Sequence, residues 1–303
     1  MNQVGAVMAE QARPSRLRAP HSPWRRLLRN RAAIFGAVIL LIIVTMALFP
    51  ELFTDQDPFQ QRLRERRLPP VWLDGGNPAH PLGTDNLGRD LFARIVYGAR
   101  VSVQVGFISS LISAVVGTVL GLLAGYFRRR VDWVIQHVGD VQLALPFILL
   151  ALFVIAVLGL NTTNLIMVFG LTNWTMYARP VRAAVLSLRE QEYIQAAIAV
   201  GASTTRILFK HLLPNLIPTI IVVFVSSLGA VIVAESSLSF LGLGVQPPTP
   251  SWGRMLSEGR DHLTTAWWLA TFPGLAITLT VVAVNWLGDG LRDALDPRLK
   301  LDL

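Results

Sequence analysis

The chain has 303 residues, of which 52% are hydrophobic and only 15% are charged, against about 25% charged in soluble domains. Its formal net charge of +8 comes from basic residues that flank apolar runs, which is typical of a membrane protein rather than of a nucleic-acid-binding one. The absence of cysteine excludes disulfides, thiol catalysis and thiolate metal sites.

Apolar segments predict six membrane-spanning helices, since about 20 such residues cross a hydrocarbon core of about 30 Å. The first, residues 32–49, follows a basic segment; a cleaved signal peptide is disfavoured because no small-residue cleavage site follows. The second, 101–127, stops at three arginines. The uncharged stretch between Asp140 and Arg179 is too long for one crossing, so it predicts a hairpin that turns at 159–164. The last two spans are 217–234 and 263–288.

The distribution of basic residues predicts that both termini are cytoplasmic. Segments 1–31, 128–140, 179–216 and 288–303 hold 18 of the 27 Lys and Arg, and the external segments hold 9. The predicted division is a cytoplasmic segment 1–31, a first span 32–49, an external loop 50–100, a five-span core 101–288 and a cytoplasmic tail 289–303. The core contains a cytoplasmic loop at 179–216.

The external loop ends in a segment with helical periodicity from about Leu87, which predicts a helix lying at the outer membrane interface. Asp85 is the expected N-cap, and Asp90 and Arg94 are spaced for an i,i+4 ion pair. A metal site formed by His80, Asp85 and Asp90 is not predicted, because the spacing matches no standard site.

Small residues predict close helix packing in the second span. Gly117, Gly121 and Gly125 fall at intervals of four and share one helix face, where they let two backbones approach. This pattern indicates packing and says nothing about chemistry.

A polar segment, 192–214, separates the fourth and fifth spans and predicts two helical pieces joined by a bend. Gly201 allows the left-handed backbone that closes the first piece, Ser203 can cap the second, and Pro214 is expected to end it. The second piece has an apolar face formed by Ile207, Leu208 and Leu212. A plain helical linker is the alternative, but a ridge of small residues ahead of the bend favours docking against another protein. That ridge comprises Tyr193, Ala196, Ala197 and Val200.

These residues carry a resemblance to the EAA loop of ATP-binding-cassette (ABC) importer permeases. The family pattern is Glu-Ala-Ala, three residues, Gly, nine residues, then Ile-x-Leu-Pro. Gln195 replaces the glutamate and His211 the isoleucine, and the positions that match in register are Ala196, Ala197, Gly201, Leu213 and Pro214. Segments 80–102, 234–256 and 288–300 resemble the dipeptide/oligopeptide/nickel branch, and the segment before the first span resembles its second permease subunit.

The resemblance implies a type I ABC importer transmembrane domain in a bacterial plasma (inner) membrane, forming half of a pathway for peptides, nickel or related solutes. It implies that Gln195, Ala196, Ala197, Gly201, Leu213 and Pro214 couple the chain to ATPases. The implied partners are a second homologous permease in a heterodimer, two cytoplasmic ATPases, an extracytoplasmic solute-binding protein and membrane lipid. No nucleic acid is expected. Because Gln195 lacks a carboxylate, coupling is expected to depend more on shape.

Glu235 is an acid near the end of the fifth apolar run, and two interpretations stay open. It lines the pathway, as an ionisable group at membrane depth suggests, or it lies among the outer headgroups and is solvated. The following segment, 236–254, contains Gly242, Gly244 and three prolines and is favoured as a re-entrant or gating element over a plain external loop.

No catalytic residue, metal or bound cofactor is predicted for this chain. A phosphate-binding P-loop needs Gly-Lys-Ser/Thr, and neither Lys210 nor Lys300 follows a glycine, so ATP is expected on partner subunits. The alternatives are a secondary transporter or channel that works without ATPases and an intramembrane enzyme. Paired intramembrane charges and HExxH-type zinc ligands, which those classes would show, are missing from the sequence.

Overall fold

The computed structural model describes residues 27–28 and 30–295, and all the regular elements in this part of the chain are helices. The N-terminal residues 1–26 and the last residues, 296–303, lie outside the described part, so the predictions for these ends are not addressed by it. The helices are α1 (Arg31–Leu48), α2 (Leu91–Phe127), α3 (Arg129–Ala144), α4 (Phe147–Leu158), α5 (Thr162–Thr172), α6 (Thr175–Arg189), α7 (Glu192–Ala199), α8 (Thr204–Phe240), α9 (Trp252–Gly259) and α10 (Trp268–Leu295).

Four of these helices, α1, α2, α8 and α10, are long and apolar enough to cross a membrane, and a fifth span results if α3 and α4 are one broken span. Those two helices meet at 89°. The predicted hairpin between 140 and 179 does turn where expected, with Gly159 ending α4 and Asn161 capping α5. However, α4 has 12 residues and α5 has 11, so each is about 18 Å long or less, well short of a full crossing.

The start of α2 differs from the sequence prediction. A separate interfacial helix beginning near Leu87 is absent from the described residues; instead one 37-residue helix begins at Leu91 and continues through the second span. Its N-cap is Asp90, whose carboxylate accepts from the backbone N–H of Ala93 at 2.7 Å, so the assignment of Asp85 as the cap is wrong. Arg94 pairs with Asp85 and not with Asp90, because Asp90 is already engaged by the helix end.

The glycine row of α2 lies against α6. A Cβ on Gly117 would collide with the carbonyl oxygen of Trp174, and a Cβ on Gly121 would lie 2.6 Å from that of Ala178. A Cβ on Gly125 would lie 2.7 Å from the side chain of Val185 and 3.0 Å from the carbonyl oxygen of Arg182. Only glycine permits so close an approach of two backbones.

Helix α2 is central, because it also packs along α5 and α8. Serines on α2 donate hydrogen bonds to backbone carbonyls of α5, including Ser113 to Gly170 at 2.8 Å. The first helix, α1, packs on α10, where a Cβ on Gly36 would lie 2.5 Å from the carbonyl oxygen of Ala283. The largest apolar cluster joins α2, α4, α5 and α8.

Candidate functional site

The bend predicted at Gly201 is formed by a glycine-dependent helix end. Gly201 has φ +78°, and a Cβ there would meet nothing within 4 Å, so the requirement is for backbone conformation and not for space. The N–H of Ala202 donates to the carbonyl of Ala197 at 3.0 Å, and the N–H of Gly201 donates to that of Ile198 at 3.0 Å. This pair of bonds is the Schellman arrangement, which closes α7 and redirects the chain by a fixed angle.

Helix α8 begins directly after this bend and does not stop at Pro214, so the prediction that Pro214 ends the second piece is wrong. Ser203 caps the helix as expected, accepting from the N–H of Arg206 at 3.4 Å. A π-helical turn over Ile207–Leu212 follows, in which the N–H of Leu213 bonds to the carbonyl of Leu208. A π-helical turn contains one more residue than an α-helical turn, so it shifts the register of the backbone hydrogen bonds. Pro214 then lies in the first turn of the α-helical stretch that begins at Leu213, where a missing N–H costs little.

One face of this segment is anchored in the chain. Ile194 of α7 is fully buried, together with Ile207 and Leu212 of α8, in a cluster that also contains Val181 and Val185 of α6. Leu213 lies half-buried at the edge of this cluster. The orientation of α7 is therefore fixed by packing onto α6 and α8.

The opposite face of α7 is exposed and carries small or apolar side chains. Ala196 is exposed, Ala197 is half-buried, and Val200 is 83% exposed at the bend. Gln195 is exposed but turns back, its side-chain amide donating to the carbonyl of Arg189 at the end of α6 at 2.8 Å. This face is therefore small-sided and apolar, and the neutral Gln195 adds no charge to it.

Glu235 lies in neither of the two predicted environments. Its exposed fraction is 0%, so the carboxylate is not solvated and does not line a surface of this chain. Ser239 donates to it at 2.7 Å and Ser236 lies 3.5 Å away, both on α8. Helix α9 packs closely on α8 here, because a Cβ on Gly253 of α9 would lie 2.5 Å from the Cα of Ser236. The burial reflects tight contact between α8 and α9, which the sequence alone does not reveal.

A groove that sequence reasoning missed runs along the first part of α8. It has a volume of about 820 Å³, and its wall is more apolar than polar. The residues that line it are Pro214, Asn215, Pro218, Thr219, Val222, Val223 and Ser226 of α8, with Met176, Arg292 and Leu295. Asn215, Thr219 and Ser226 are four and seven residues apart, so they share one helix face, and both Asn215 and Ser226 are exposed. These three polar residues on one face of an apolar run were the signal available in the sequence.

A buried ionic cluster fixes the N-terminal end of α2. Asp85 accepts from Arg89 Nε at 2.6 Å and from Arg94, and Glu258 of α9 accepts from Arg94 Nη1 at 3.0 Å. Burial alone raises the pKa of Asp85, but Arg94, Arg89 and two backbone N–H donors outweigh burial, so the net pKa is lowered. The carboxylate is therefore ionised at neutral pH.

His80 takes part in a neighbouring set of contacts, with Nδ1 2.9 Å from Asp90 and Nε2 3.4 Å from Glu65. No group of three or more His, Cys, Asp or Glu suited to a metal ion occurs among residues 27–28 and 30–295. Asp90 is occupied by helix capping and Asp85 by the two arginines.

Comparison with known proteins places the sequence in a defined group. Residues 117–301 match the family model described as binding-protein-dependent transport system inner membrane component, and residues 22–70 match the N-terminal TM domain of oligopeptide transport permease C. The chain is 43% identical over 277 residues to the di/tripeptide transport system permease protein DppC of Pseudomonas aeruginosa, covering 91% of each chain. It is equally identical over 277 residues to the glutathione transport system permease protein GsiD of Pectobacterium atrosepticum, covering 91% of this chain and 90% of that one.

The fold resembles that of a solved structure, the inward-facing MetNI methionine ABC transporter. The TM-score is 0.54 at 18% sequence identity, covering 67% of this chain and 96% of that chain. At this identity the likeness concerns the fold alone.

Proposed function

Since this chain belongs to the family of inner membrane components of binding-protein-dependent transport systems, as an ABC importer permease of the peptide branch, we propose that it forms half of a pathway for short peptides or related small solutes. It is a transport subunit of the inner membrane rather than an enzyme, and it works with ATPase and solute-binding partners. The peptide assignment is supported by the names of the relatives, which are described as dipeptide, di/tripeptide and glutathione permeases.

The exposed face of α7 is the proposed contact with an ATPase. Two features of one segment support this proposal. Small residues, Ala196 and Ala197, lie on the accessible side of α7, and the bend at Gly201 is fixed by its backbone hydrogen bonds. Small side chains let a partner surface approach closely, and a fixed bend passes displacement on to α8. Gln195, Leu213 and Pro214 hold the segment in place: Gln195 through the end of α6, the other two at the π-helical turn.

The groove on α8 is the proposed half of the pathway. The groove lies on the same helix that begins at the bend, so a displacement of α7 would move the groove with it. Hydroxyl and amide groups suit the polar backbone of a peptide, and Arg292 suits a carboxylate. Glu235, being buried between α8 and α9, is proposed to hold the outer segment in place and not to touch the solute.

The topology is proposed to have six crossings with both termini in the cytoplasm. The broken helices between 129 and 189 would supply two of them, α3 with α4 and α5 with α6. The second half of the pathway is proposed to come from a homologous permease, giving a heterodimer, with two ATPases carrying all nucleotide chemistry and no cofactor bound by this chain.

Reconstitution tests these proposals. The purified complex in liposomes, with its binding protein, is expected to take up labelled dipeptide only when ATP is supplied on the ATPase side. Cross-linkers placed at Ala196 or Ala197 are expected to capture an ATPase subunit. Uptake by this chain alone, or capture at these positions only from the external side, would contradict the proposal.

A further inference from the structure

The turn between α2 and α3 carries a basic and aromatic surface that the transport function leaves unused. Arg129, Arg130, Trp133 and Val134 line a cavity of about 500 Å³ at the start of α3. Arg129 and Trp133 are one helical turn apart, as are Arg130 and Val134, so each arginine stands beside an apolar side chain. Both arginines are exposed, and Trp133 is 61% exposed.

The two arginines have no carboxylate within 4.0 Å among the described residues, although acids lie close by. Each neighbouring acid is already paired with a different arginine. Asp132 accepts from Arg182 Nη2 at 2.5 Å, Asp140 from Arg179 at 2.7 Å, and Glu190 from Arg128. The two arginines thus provide uncompensated positive charges beside a cavity whose own wall is formed by apolar atoms, and together they match an anion that carries an apolar part.

The surroundings of the cavity are those of a membrane interface. Helix α2 ends at Phe127, just before the arginines, so the cavity lies where this span leaves the hydrocarbon. Exposed apolar side chains continue along α3 at Val138 and Val141, 56% and 68% exposed. The indole of Trp133 stacks on His137 of the same helix at a centroid distance of 4.1 Å, and tryptophan is enriched at membrane–water interfaces.

We propose that this cavity binds the headgroup of an anionic phospholipid of the inner leaflet. Arg129 and Arg130 contact the phosphate, and Trp133 with Val134 packs against the glycerol and the upper acyl chains. The inference rests on the proposed function, because only the proposed orientation places this end of α2 on the cytoplasmic side. A soluble anion would match the two charges but not the adjoining apolar surface.

Lipid binding to the purified importer complex tests this assignment. Native mass spectrometry with phosphatidylglycerol is expected to show tighter binding than with phosphatidylcholine. The variant R129Q/R130Q is expected to bind phosphatidylglycerol about thirtyfold more weakly, from about fivefold for each arginine near an anionic surface. The matched control R64Q/R66Q removes the same charge from exposed positions in the external loop and is expected to bind like the wild type.

Three results would overturn the assignment. One is equal binding of phosphatidylglycerol by R129Q/R130Q and wild type; another is full displacement of the lipid by millimolar inorganic phosphate. The third is photo-crosslinking from position 134 to the second permease instead of to lipid, which would make the surface a subunit contact. Failure of the proposed function is distinguishable, since native mass spectrometry reports the presence of ATPase subunits and the bound lipid separately.

Discussion

Replacing Gly201 by valine is expected to separate ATP hydrolysis from transport. The glycine has φ +78°, and a side chain there would meet nothing within 4 Å, so the whole cost of the substitution is conformational. A left-handed backbone costs an L-residue about 1–2 kcal/mol, with β-branched residues at the upper end. That cost lowers the population of the bent state by about 5- to 30-fold relative to competing local conformations.

The same cost is too small to unfold the chain. Domains have about 5–15 kcal/mol of stability, and the cluster around Ile194 and Leu212 remains intact in the variant. The complex should therefore assemble and hydrolyse ATP, while α7 no longer passes its displacement to α8. In proteoliposomes, the dipeptide transported per ATP hydrolysed is expected to fall at least about fivefold, with little change in the hydrolysis rate.

Gly159 provides a matched control. It has φ +84° and ψ 165°, and a Cβ at this position would also meet nothing within 4 Å, so Gly159→Val carries a purely conformational cost at least as large, at the turn between α4 and α5. If both variants reduced uptake equally, the effect would be loss of general stability, and the role assigned to Gly201 would be refuted. Unchanged uptake in Gly201→Val would refute it as well.

Three further predictions concern packing and charge. Gly121→Leu should destabilise the chain by about 3 kcal/mol in thermal unfolding, because its Cβ would lie 2.6 Å from the carbonyl oxygen of Ala178 and 2.9 Å from the side chain of Val181, so α2 and α6 would have to move apart. Asp85→Asn should cost about 2–3 kcal/mol, because Arg89 and Arg94 lose one of the two carboxylates that they contact and keep only Glu258. Since the folded-state pKa of Asp85 is lowered, this stabilisation is present at neutral pH and should disappear as the pH falls below about 4. Glu235→Gln should keep uptake near normal and Glu235→Leu should not, because glutamine still accepts from Ser239 while leucine leaves hydroxyls unpaired; equal uptake in both would contradict the contact.

Predictions that rested on local backbone chemistry agree with the structure. Gly201 and Ser203 form the bend and the cap that their residue types favour, because a positive φ and an N-cap depend on the residue itself and its nearest neighbours. The turn at 159–164 is of the same kind. The lengths of the apolar runs, and the charged residues that flank them, likewise predicted that α1 ends near Leu48 and α2 near Phe127.

Predictions that required knowledge of partners in space were wrong. Asp85 lies at a plausible N-cap position in the sequence, but its carboxylate pairs with Arg94, and Asp90 caps the helix instead. Pro214 has the sequence context of a helix end, yet a π-helical turn absorbs the missing N–H and the helix continues. Glu235 could not be placed because its burial depends on α9, which returns to it from 17 residues further along the chain.

The continuity of α8 through Pro214 matters more than the bend alone. If the helix ended at Pro214, a flexible joint would lie between the surface on α7 and the groove on α8, and displacement of one would be lost before it reached the other. Instead the helix runs unbroken from Thr204 to Phe240, about 55 Å at 1.5 Å per residue, which exceeds the thickness of the hydrocarbon core. One continuous helix therefore connects the proposed ATPase contact with Asn215 and Ser226 in the groove and with the segment packed around Glu235 at the far end. The π-helical turn accompanies that continuity, because its shifted hydrogen-bond register accommodates Pro214 without ending the helix.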